Sequence, residues 1–263
     1  MHLLEPWHRE FDPPAALRDA IKCFWYDTRD TGEAASTFEV LPDGWVEIIF
    51  QFGETSSLQS PFIMGLLSQP ARLRTEGRVD IIGIRCYPWA VFDLLGLPSS
   101  RDEVRLLEHP IARLQPTLAR CVHAGRIEET LAHLERHFLH ARPHIALDGM
   151  LARAGAALRE GQGRMPVSEV AAVAHASVRT LERRFRQVSG HTVKEVSSLI
   201  RFEQVRNALV LDPQTGIAGL AHAHGYVDQS HLSREFKRYS GTSPAAFAGR
   251  RRLRSEPGGF VQA

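Results

Sequence analysis

The pattern of apolar and polar positions changes along this chain of 263 residues, and its first part predicts strands. Short runs rich in β-branched and aromatic residues, separated by Pro and Gly, are typical of β-structure. They occur at Lys22–Tyr26, Thr37–Leu41, Trp45–Phe52, Phe62–Leu67, Ala71–Thr75 and Val79–Cys86. Pro42-Asp43-Gly44 predicts a turn, because Pro fixes φ and Gly permits a positive φ. These features indicate a small antiparallel barrel or sandwich.

From Pro88 onward the pattern predicts helices. Pro88–Leu95 is expected to form a short helix that Gly96 and Pro98 end. Apolar residues then recur at the spacing of one helix face, first at Ile111, Leu114, Leu118 and Val122, and again at Ile127, Leu131, Leu134 and Phe138. This helix pair could form either a dimer seam or a scaffold within the domain. A further helix is expected over Ile145–Arg159, followed by a flexible joint at Gly161-Gln162-Gly163.

One pattern near the C-terminus occurs twice. Residues 177–192 have the sequence SVRTLERRFRQVSGHT and residues 228–243 have DQSHLSREFKRYSGTS, at an offset of 51. Ser177 and Asp228 are favoured N-caps, because their side-chain oxygens can accept an orphan backbone N–H. Upstream the offset is 50, so the turn of the second copy is one residue longer. Each copy predicts a short helix, a turn and a second helix with Arg on its open face, which is the layout of a helix-turn-helix.

The charges divide the chain in the same place. Residues 1–163 carry 17 Lys and Arg against 22 Asp and Glu, a formal charge of −5, whereas residues 164–254 carry 15 against 7, a charge of +8. A basic segment attached to a mildly acidic remainder is typical of a nucleic-acid-binding domain with a second domain. No apolar run approaches the ~20 residues that span a bilayer, so no membrane partner is expected. The scattered cysteines, Cys23, Cys86 and Cys121, favour free thiols in a reducing cytoplasm.

The run GYVDQSHLSREFKRYSGTSPAAF, residues 225–247, closely resembles the signature around the second helix-turn-helix of the AraC/XylS family of bacterial transcription regulators. The residues that fit the first half of the family's domain are Ser177, Arg179, Leu181, Arg183, Arg184, Phe185 and Arg201. The resemblance covers about residues 164–250 and implies two helix-turn-helix units. One departure is Ala174-His175-Ala176, where the family's first turn often carries Gly. Tight turns with positive φ favour Gly, but this turn is expected not to need one.

The N-terminal half more faintly resembles the β-rich sensor-like domains of some relatives. The segments that carry this resemblance are LPDGWVEIIF, FIMGLL and IIGIRCYPWAV, at residues 41–50, 62–67 and 81–91. The expected fold class is α+β, with an N-terminal β-rich barrel or sandwich (cupin-like), following helices, and a C-terminal all-α domain of two helix-turn-helix units joined by a long helix. The expected parts are a β-rich effector or dimerisation domain at 1–142, a helix and linker at 143–163, a DNA-binding domain at 164–254 and a flexible tail at 255–263.

The first recognition helix is expected to bury Leu181 and Phe185, which are four residues apart and share one face. The other faces are then open to DNA. Arg can pair with guanine and Glu can accept from cytosine in the major groove. The expected DNA-binding residues are therefore Arg179, Thr180, Glu182, Arg183 and Arg186. The alternative for Glu182 is a surface ion pair with Arg186, four residues further on.

The second recognition helix is expected to bury Leu232 and Phe236, with Asp228 as a cap rather than a base reader. Gln suits adenine and Arg suits guanine. The expected DNA-binding residues are Gln229, Ser230, His231, Ser233, Arg234, Lys237 and Arg238. The last two lie one turn further on and are expected to meet phosphates, which position a protein without reading sequence. Arg201, on the connecting helix, is expected to fix that helix through carboxylate or carbonyl contacts.

Other candidate chemistry is weaker. His133, His137 and His140 have helical spacing, but a zinc site needs further supporting ligands. No metal, no cofactor and no catalytic residue is expected. An effector site is predicted in the strand-lined region, at Trp45, Glu47, Arg85 and Trp89. The two tryptophans are also typical of a structural core.

The sequence therefore predicts a cytoplasmic bacterial transcription regulator that contacts two adjacent major grooves and is regulated through its N-terminal domain. The expected partners are double-stranded promoter DNA, a small-molecule effector, RNA polymerase if the protein is an activator, and a second copy if it forms a homodimer. Two alternatives stay open: a DNA-localised small-molecule enzyme, or a regulator whose N-terminal half binds only protein partners. A pocket with inward polar groups favours ligand binding, whereas a metal or a strongly perturbed acid–base pair favours catalysis.

Overall fold

The computed structural model describes most of the chain, namely residues 8–32, 36–56, 60–99, 101–142 and 148–255. Ser255, the first residue of the expected flexible tail, ends a helix, and the rest of that tail, 256–263, lies outside the described residues. The start of the expected linker, residues 143–147, also lies outside them, and with it the predicted beginning of a helix at Ile145. No described helix is both long and apolar enough to cross a bilayer.

An antiparallel sheet of seven strands forms the described N-terminal region. The strands are β1 Arg9–Phe11, β2 Ile21–Asp30, β3 Ser36–Val40, β4 Val46–Ser56, β5 Phe62–Met64, β6 Ala71–Cys86 and β7 Val104–Leu106. Their order is β1-β2-β6-β4-β5-β7, and β3 pairs with β6. The two strands predicted at 71–75 and 79–86 are one strand, because the pairing continues on both sides of Gly77, which has a φ of 69°. Strands β1 and β7 are too short to show a pattern in the sequence.

Strand β6 is strongly bent, which gives the sheet a barrel-like curvature. β3 ends with Val40 opposite Ala71, the first residue of β6, and β4 begins with Val46 opposite Cys86, the last. A straight β6 would separate its ends by roughly 50 Å at ~3.3 Å per residue, but the chain from Val40 to Val46 spans at most about 22 Å. The two ends of β6 must therefore approach each other. β3 and β4 do not form a hairpin across Pro42-Asp43-Gly44, since both pair with β6 on opposite sides.

Helices pack against one face of this sheet. They are α1 Val91–Leu95, α2 Gln115–His123 and α3 Ile127–Ala141. The predicted apolar stripes are buried, at Leu118 and Val122 in α2 and at Leu131, Leu134 and Phe138 in α3. They share a core with Ile48 and Phe50 of β4. The pair thus acts as a scaffold within the N-terminal region, one of the two alternatives predicted for it.

The C-terminal part is all-α and contains the two predicted units. Its helices are α4 Gly149–Glu160, α5 Val167–Val173, α6 Val178–Ser189, α7 Val193–Leu211, α8 Ile217–Ala223, α9 Gln229–Ser240 and α10 Pro244–Ser255. The long connecting helix, α7, has 19 residues. The joint predicted to be flexible is a packed turn, because a Cβ at Gly163 would lie 2.3 Å from the carbonyl oxygen of Ser197 in α7. The predicted fold class, α+β with a β-rich domain and a helical one, is confirmed.

Candidate nucleic-acid interface

The first helix-turn-helix unit consists of α5 and the recognition helix α6. The side-chain oxygen of Ser177 accepts from the backbone N–H of Thr180 at 3.1 Å, which confirms the predicted N-cap. Leu181 and Phe185 are fully buried and fix the rotation of α6. Three of the predicted DNA-binding residues are exposed on its other sides, namely Arg179, Arg183 and Arg186. Guanidinium groups in this position are suited to phosphate and guanine acceptors.

Two further predicted residues of α6 have partners within the protein. Thr180 Oγ1 lies 2.9 Å from the hydroxyl of Ser177. Glu182 Oε2 accepts from the backbone N–H of Val193, the first residue of α7, at 3.2 Å. A carboxylate stabilises a helix N-terminus because the N–H groups there lack partners. Glu182 thus supports the start of α7, and its partner is not the Arg186 of the alternative prediction.

A shallow concave surface follows α6 and is lined by Arg179, Glu182, Arg183, Arg186 and Gln187. Four of these five are predicted DNA-binding residues, so the structure brings them together. The sequence analysis missed Gln187, whose side-chain oxygen accepts from Arg184 at 2.9 Å. Gln187 follows Arg183 by four residues, and this spacing is the signal that places both on one face.

The turn of the first unit has a left-handed backbone. His175 has a φ of 54°, and Gly225, its equivalent in the second unit, has a φ of 73°. Both turns close with backbone hydrogen bonds of 2.9 Å, from Ala176 to Ala171 and from Tyr226 to Ala221. The first turn thus forms without Gly, as expected, although His175 has the same left-handed backbone as Gly225.

The second unit consists of α8 and the recognition helix α9. Asp228 Oδ1 accepts from the backbone N–H of His231 at 2.6 Å, which confirms Asp228 as the N-cap. Leu232 and Phe236 are fully buried, as expected. The exposed predicted residues are Gln229, Ser230, Arg234, Lys237 and Arg238. This face offers both amide and guanidinium groups, the two side-chain chemistries that read adenine and guanine.

The remaining predicted residues of α9, His231 and Ser233, are half-buried. The ring of His231 packs edge-on against Tyr226, with centroids 5.2 Å apart, and its Nδ1 accepts from the backbone N–H of Val227 at 3.5 Å. These contacts tie His231 to the turn before α9. The sequence analysis missed Val227, whose apolar side chain is 87% exposed beside the start of the recognition helix.

Helix α7 connects the two units. A capping box formed by Thr192 and Glu195 begins it. Arg201 donates to the carbonyl of Gly163 at 3.1 Å and forms an ion pair with Glu235 of α9 at 3.4 Å. Arg201 thus has the carboxylate and carbonyl contacts that were expected of it, and it holds α7 against α9 and the turn before α5.

The N-terminal region also holds α6 and α7 in place. Arg101 forms an ion pair with Glu195 at the start of α7, with 2.6 Å between nitrogen and oxygen. Burial alone would raise the pKa of Glu195, but hydrogen bonds from Thr192 and Arg101 lower it to about 2. Arg184 of α6 pairs with Asp148, the N-cap of α4, at 3.0 Å. The recognition helix α6 is therefore anchored to the start of α4, and the start of α7 is anchored to the N-terminal region.

A second candidate site is a cavity on the inner face of the bent sheet. Its volume is ≈ 680 Å³, including the open space at its mouth. Its walls are mainly apolar, with Trp25, Phe38, Ile49, Phe62 and Ile81 among the lining residues. Its charged and amide groups are Asp27, Arg29, Glu47 and Gln51. A mainly apolar cavity with a few polar groups is typical of small-molecule sites.

The floor of this cavity contains a buried ion pair. Trp25 lies flat against Gly83 of β6, where a Cβ would come within 1.9 Å of the indole. Glu47 accepts from the indole N–H of Trp25 at 2.9 Å and from Nε of Arg85 at 2.8 Å. Burial disfavours the charge of Arg85, but Glu47 and Asp43 outweigh this effect and raise its pKa. Arg85 therefore stays a cation behind Glu47.

The four residues predicted for the effector site do not all line this cavity, although Trp45 and Glu47 together line a smaller neighbouring one. Glu47 lines the cavity and Arg85 lies next to it. Trp45 and Trp89 lie instead where the N-terminal region meets the helical part, and the ring centroids of Trp89 and Phe185 of α6 are 6.1 Å apart. The sequence could not show this difference in location, because residues that are close together in sequence can face different surfaces once a strand is bent.

Trp45 belongs to a buried cluster with two charged residues, Arg159 of α4 and Glu203 of α7, called the interdomain cluster below. The indole N–H of Trp45 donates to Glu203 at 2.9 Å. Arg159 pairs with Glu203 at 3.0 Å, lies over the ring of Trp45 at 3.5 Å and donates to the carbonyl of Gly44. The connection between β3 and β4 is thereby joined to both α4 and α7.

Asp43 lies between the cavity and the interdomain cluster. Burial, reinforced by the charge of Glu203, raises the pKa of Asp43 to about 6. Burial also opposes the charge of Glu203, but Arg159 outweighs it and lowers the pKa of Glu203. Asp43 is also within the electrostatic influence of Arg85 and Glu47. A change in the ion pair of the cavity therefore alters the field at Asp43.

Comparison with known proteins agrees with these features. A helix-turn-helix domain matches residues 170–250, and a domain of unknown function (DUF6597) matches residues 9–102. No curated protein matches the chain significantly. The fold and its two capped recognition helices define a helix-turn-helix DNA-binding protein. More narrowly, its C-terminal domain is of the AraC/XylS type found in transcription regulators.

Solved structures with similarity include three regulators. The DNA-binding domain of AdpA, a global transcriptional factor in complex with a target DNA, is 28% identical, with a TM-score of 0.38, over 41% of this chain and 96% of that one. ToxT from Vibrio cholerae O395 is 11% identical, with a TM-score of 0.45, over 86% and 97%. The C-terminal domain of AraT, a response regulator from Geobacillus stearothermophilus, is 24% identical, with a TM-score of 0.38, over 44% and 95%. The assignment rests on the domain and its motif residues, not on these scores.

Proposed function

We propose that this protein is a sequence-specific transcription regulator whose two recognition helices enter adjacent major grooves of promoter DNA. The observation that carries this proposal is the pair of capped helices with exposed Arg faces, α6 and α9, joined by the single helix α7. The 19 residues of α7 span about 28 Å at ~1.5 Å per residue. One turn of DNA is about 34 Å long. A linker of this length suits two helices in successive grooves on one face of the duplex.

The exposed residues divide into two proposed roles. Arg183 and Arg234 occupy the same position in the two copies, so both are assigned to guanine bases through bidentate pairing. Lys237 and Arg238, one turn further along α9, are assigned to phosphates. Val227 offers an apolar contact for a thymine methyl group. The other exposed residues that were predicted, Arg179, Arg186, Gln229 and Ser230, complete the proposed surface, and Thr180, Glu182, His231 and Ser233 support it from within.

In vitro selection from a random DNA pool with the purified full chain tests this proposal. We expect an enriched site with two sequence blocks whose centres lie about 10 base pairs apart. The double variant Arg183→Ala/Arg234→Ala should no longer enrich that site. A matched control, Arg72→Ala/Arg113→Ala, removes the same charge from the N-terminal region and should enrich it as the wild type does. Enrichment of no site, or of the same site by both double variants, contradicts base reading by these helices.

We further propose that the N-terminal region regulates DNA binding through the cavity. The support is a series of contacts from the cavity to α7. Glu47 and Arg85 form the charged floor of the cavity, and both act electrostatically on Asp43. Trp45, two residues further on, donates to Glu203 of α7. A ligand that takes over a hydrogen bond of Glu47 changes the field at Asp43. The balance between two arrangements of α7 then shifts, which is a population shift between states of different DNA affinity.

A melting-temperature screen of small metabolites tests the regulatory role. A true effector raises the melting temperature of the wild type by mass action. It should lose this effect in Ile49→Trp, which fills the cavity, and it should change the Kd for the selected DNA site. A ligand that binds in the cavity but leaves that Kd unchanged contradicts the regulatory role and leaves the DNA-binding role intact.

The two alternatives have less support. Glu47, in the floor of the cavity, is held by Arg85 and Trp25, and Asp27, in its wall, forms an ion pair with Arg29. We propose no catalytic role for the cavity. An enzyme would convert a stabilising ligand into a product, whereas a module for protein partners alone would show no stabilisation by any small molecule.

A further inference from the structure

The hairpin of α2 and α3 brings three different metal-ligating side chains together. Cys121 lies in the last turn of α2, and Glu129 and His133 lie one turn apart on α3. Because residues four positions apart share a helix face, the carboxylate and the imidazole lie on the same side of α3. The ligand atoms of all three residues lie within 4.8 Å of one another.

The separation of two of these atoms matches that in a metal site. The thiol of Cys121 donates a hydrogen bond to Oε1 of Glu129, with 3.6 Å between the sulfur and the oxygen. With Zn–S bonds of about 2.3 Å and Zn–O bonds of about 2.1 Å, tetrahedral geometry places a sulfur and an oxygen ligand about 3.6 Å apart. The thiol and the carboxylate therefore already have the spacing that such an ion requires, and His133 lies within reach as a third ligand.

Arg126 orients the carboxylate. Its Nη1 donates to Oε2 of Glu129 at 2.7 Å, so Oε1 is left on the side of the thiol. Outer-shell hydrogen bonds of this kind hold a ligand in position and support metal affinity. Cys121 is buried, whereas Glu129 is exposed and His133 half-exposed. The protein thus shields one side of the site and leaves the other open to an incoming ion.

We propose that Cys121, Glu129 and His133 form a binding site for one thiophilic divalent ion of the zinc class, with water as a fourth ligand. A thiolate favours zinc-like ions over magnesium and calcium, which take oxygen ligands. The ion ties the end of α2 to α3 and stiffens the hairpin that packs on the sheet. This site is separate from the cavity and from the recognition helices, so it does not depend on their proposed roles.

This site differs from the histidine set considered in the sequence. Of His133, His137 and His140, His133 belongs to the group with Cys121 and Glu129. The ring of His137 instead contacts that of His109, with centroids 5.8 Å apart. Residue spacing along the chain does not show this site, because Cys121 joins it from another helix. The proposal departs from the expectation that the chain binds no metal, and the titration below decides between them.

Titration of the purified, metal-free full chain with cobalt(II) tests the site. A thiolate bound to cobalt gives a charge-transfer band in the near ultraviolet that oxygen and imidazole ligands do not give. We expect this band to saturate at one cobalt per chain and to disappear when zinc is added in competition. Zinc should also raise the melting temperature of the chain by mass action.

Variants of the ligands decide the assignment. Cys121→Ser should abolish the band, and His133→Ala should weaken cobalt affinity at least about tenfold. Matched controls on the same helix, Glu128→Gln and His140→Ala, should leave the affinity unchanged. Because His133 is half-exposed, His133→Ala is expected to fold. It therefore still tests the site if Cys121→Ser does not fold. A wild-type chain without the band, a band that survives in Cys121→Ser, or an unchanged affinity in His133→Ala overturns the proposal.

Discussion

At the scale of single residues, the two halves of the repeat carry different residues at one shared backbone conformation, in the turn. His175 and Gly225 have the same left-handed backbone, but only glycine adopts it without steric cost. The second copy therefore has the residue that its geometry favours, whereas the first has an exposed His in a strained position. This difference allows a test that changes one side chain and leaves the recognition helices untouched.

His175→Gly should raise the free energy of unfolding by about 1 kcal/mol. A left-handed conformation costs an L-residue roughly 1–2 kcal/mol, and the greater freedom of Gly in the unfolded chain offsets part of that gain. Urea denaturation measures the change. Gly225→Ala is the reciprocal variant and should lower the free energy of unfolding by a similar amount, and a destabilised His175→Gly would contradict the equivalence of the two turns.

The roles of some site residues could be predicted because their partners are near in sequence, and the roles of others could not. Ser177 and Asp228 were predictable as caps because the cap bonds to backbone two or three residues away. The role of Glu182 was not predictable, since its partner, Val193, lies in the next helix. The contact of His231 with Tyr226 was not predictable either, because the sequence does not show which face of a helix end the preceding turn covers.

The division between base readers and phosphate binders gives a second prediction. Arg183→Ala and Arg234→Ala should each weaken binding to the selected site by about 1–3 kcal/mol and change base preference. Lys237→Ala should weaken binding to all sequences alike and reduce the salt slope by about one unit. The Kd on single-base variants of the site, measured over a series of salt concentrations, distinguishes the two. An unchanged preference in both Arg variants contradicts their role.

At the scale of elements, periodicity predicted which segments are strands and helices but not how they are joined. β6 was divided in the prediction because Gly77 interrupts its pattern, and its bend depends on pairing with β3 and β4 on opposite sides. The interdomain cluster was equally hidden. Trp45 and Glu203 are 158 residues apart in sequence, and no local pattern records such a contact.

The interdomain cluster should be sensitive to the loss of one partner. Arg159→Leu leaves the carboxylate of Glu203 buried without its cation and should lower the free energy of unfolding by about 3–5 kcal/mol. Glu203→Gln keeps a hydrogen-bond acceptor for Trp45 and should cost less. The double variant should recover part of the loss, which chemical denaturation of the three variants measures. Additive losses would show that Arg159 and Glu203 are not coupled.

Asp43, next to the interdomain cluster, makes the stability of the protein depend on pH. Its pKa of about 6 in the folded protein lies above the ordinary value of 3.8, so the folded state binds this proton more tightly than the unfolded state does. The proton on Asp43 therefore stabilises the folded state fully below pH 3.8, and this contribution is lost as the pH rises through about 6. Asp43→Asn should thus be more stable than the wild type at pH 7, and this advantage should disappear near pH 4. An advantage independent of pH contradicts the shift.

At the scale of the whole molecule, the charges predicted two parts, and the contacts show that these parts are packed together. The acidic N-terminal part, at −5, and the basic part, at +8, are distinct. Yet they meet at the interdomain cluster and at the ion pair between Arg101 and Glu195. Composition could show the division into two parts, because a DNA-binding domain needs an excess of positive charge. It could not show the packing, because that depends on the shape of both surfaces.

The central claim is that both recognition helices bind one DNA molecule at once. Hydroxyl-radical footprinting of the full chain on its selected site tests this claim most directly. Two recognition helices in successive grooves should protect two blocks on one face of the duplex, together about 20 base pairs long, with their centres one turn apart. Arg234→Ala should weaken one block more than the other. A single protected block of about half that length, at saturating protein, would contradict the claim.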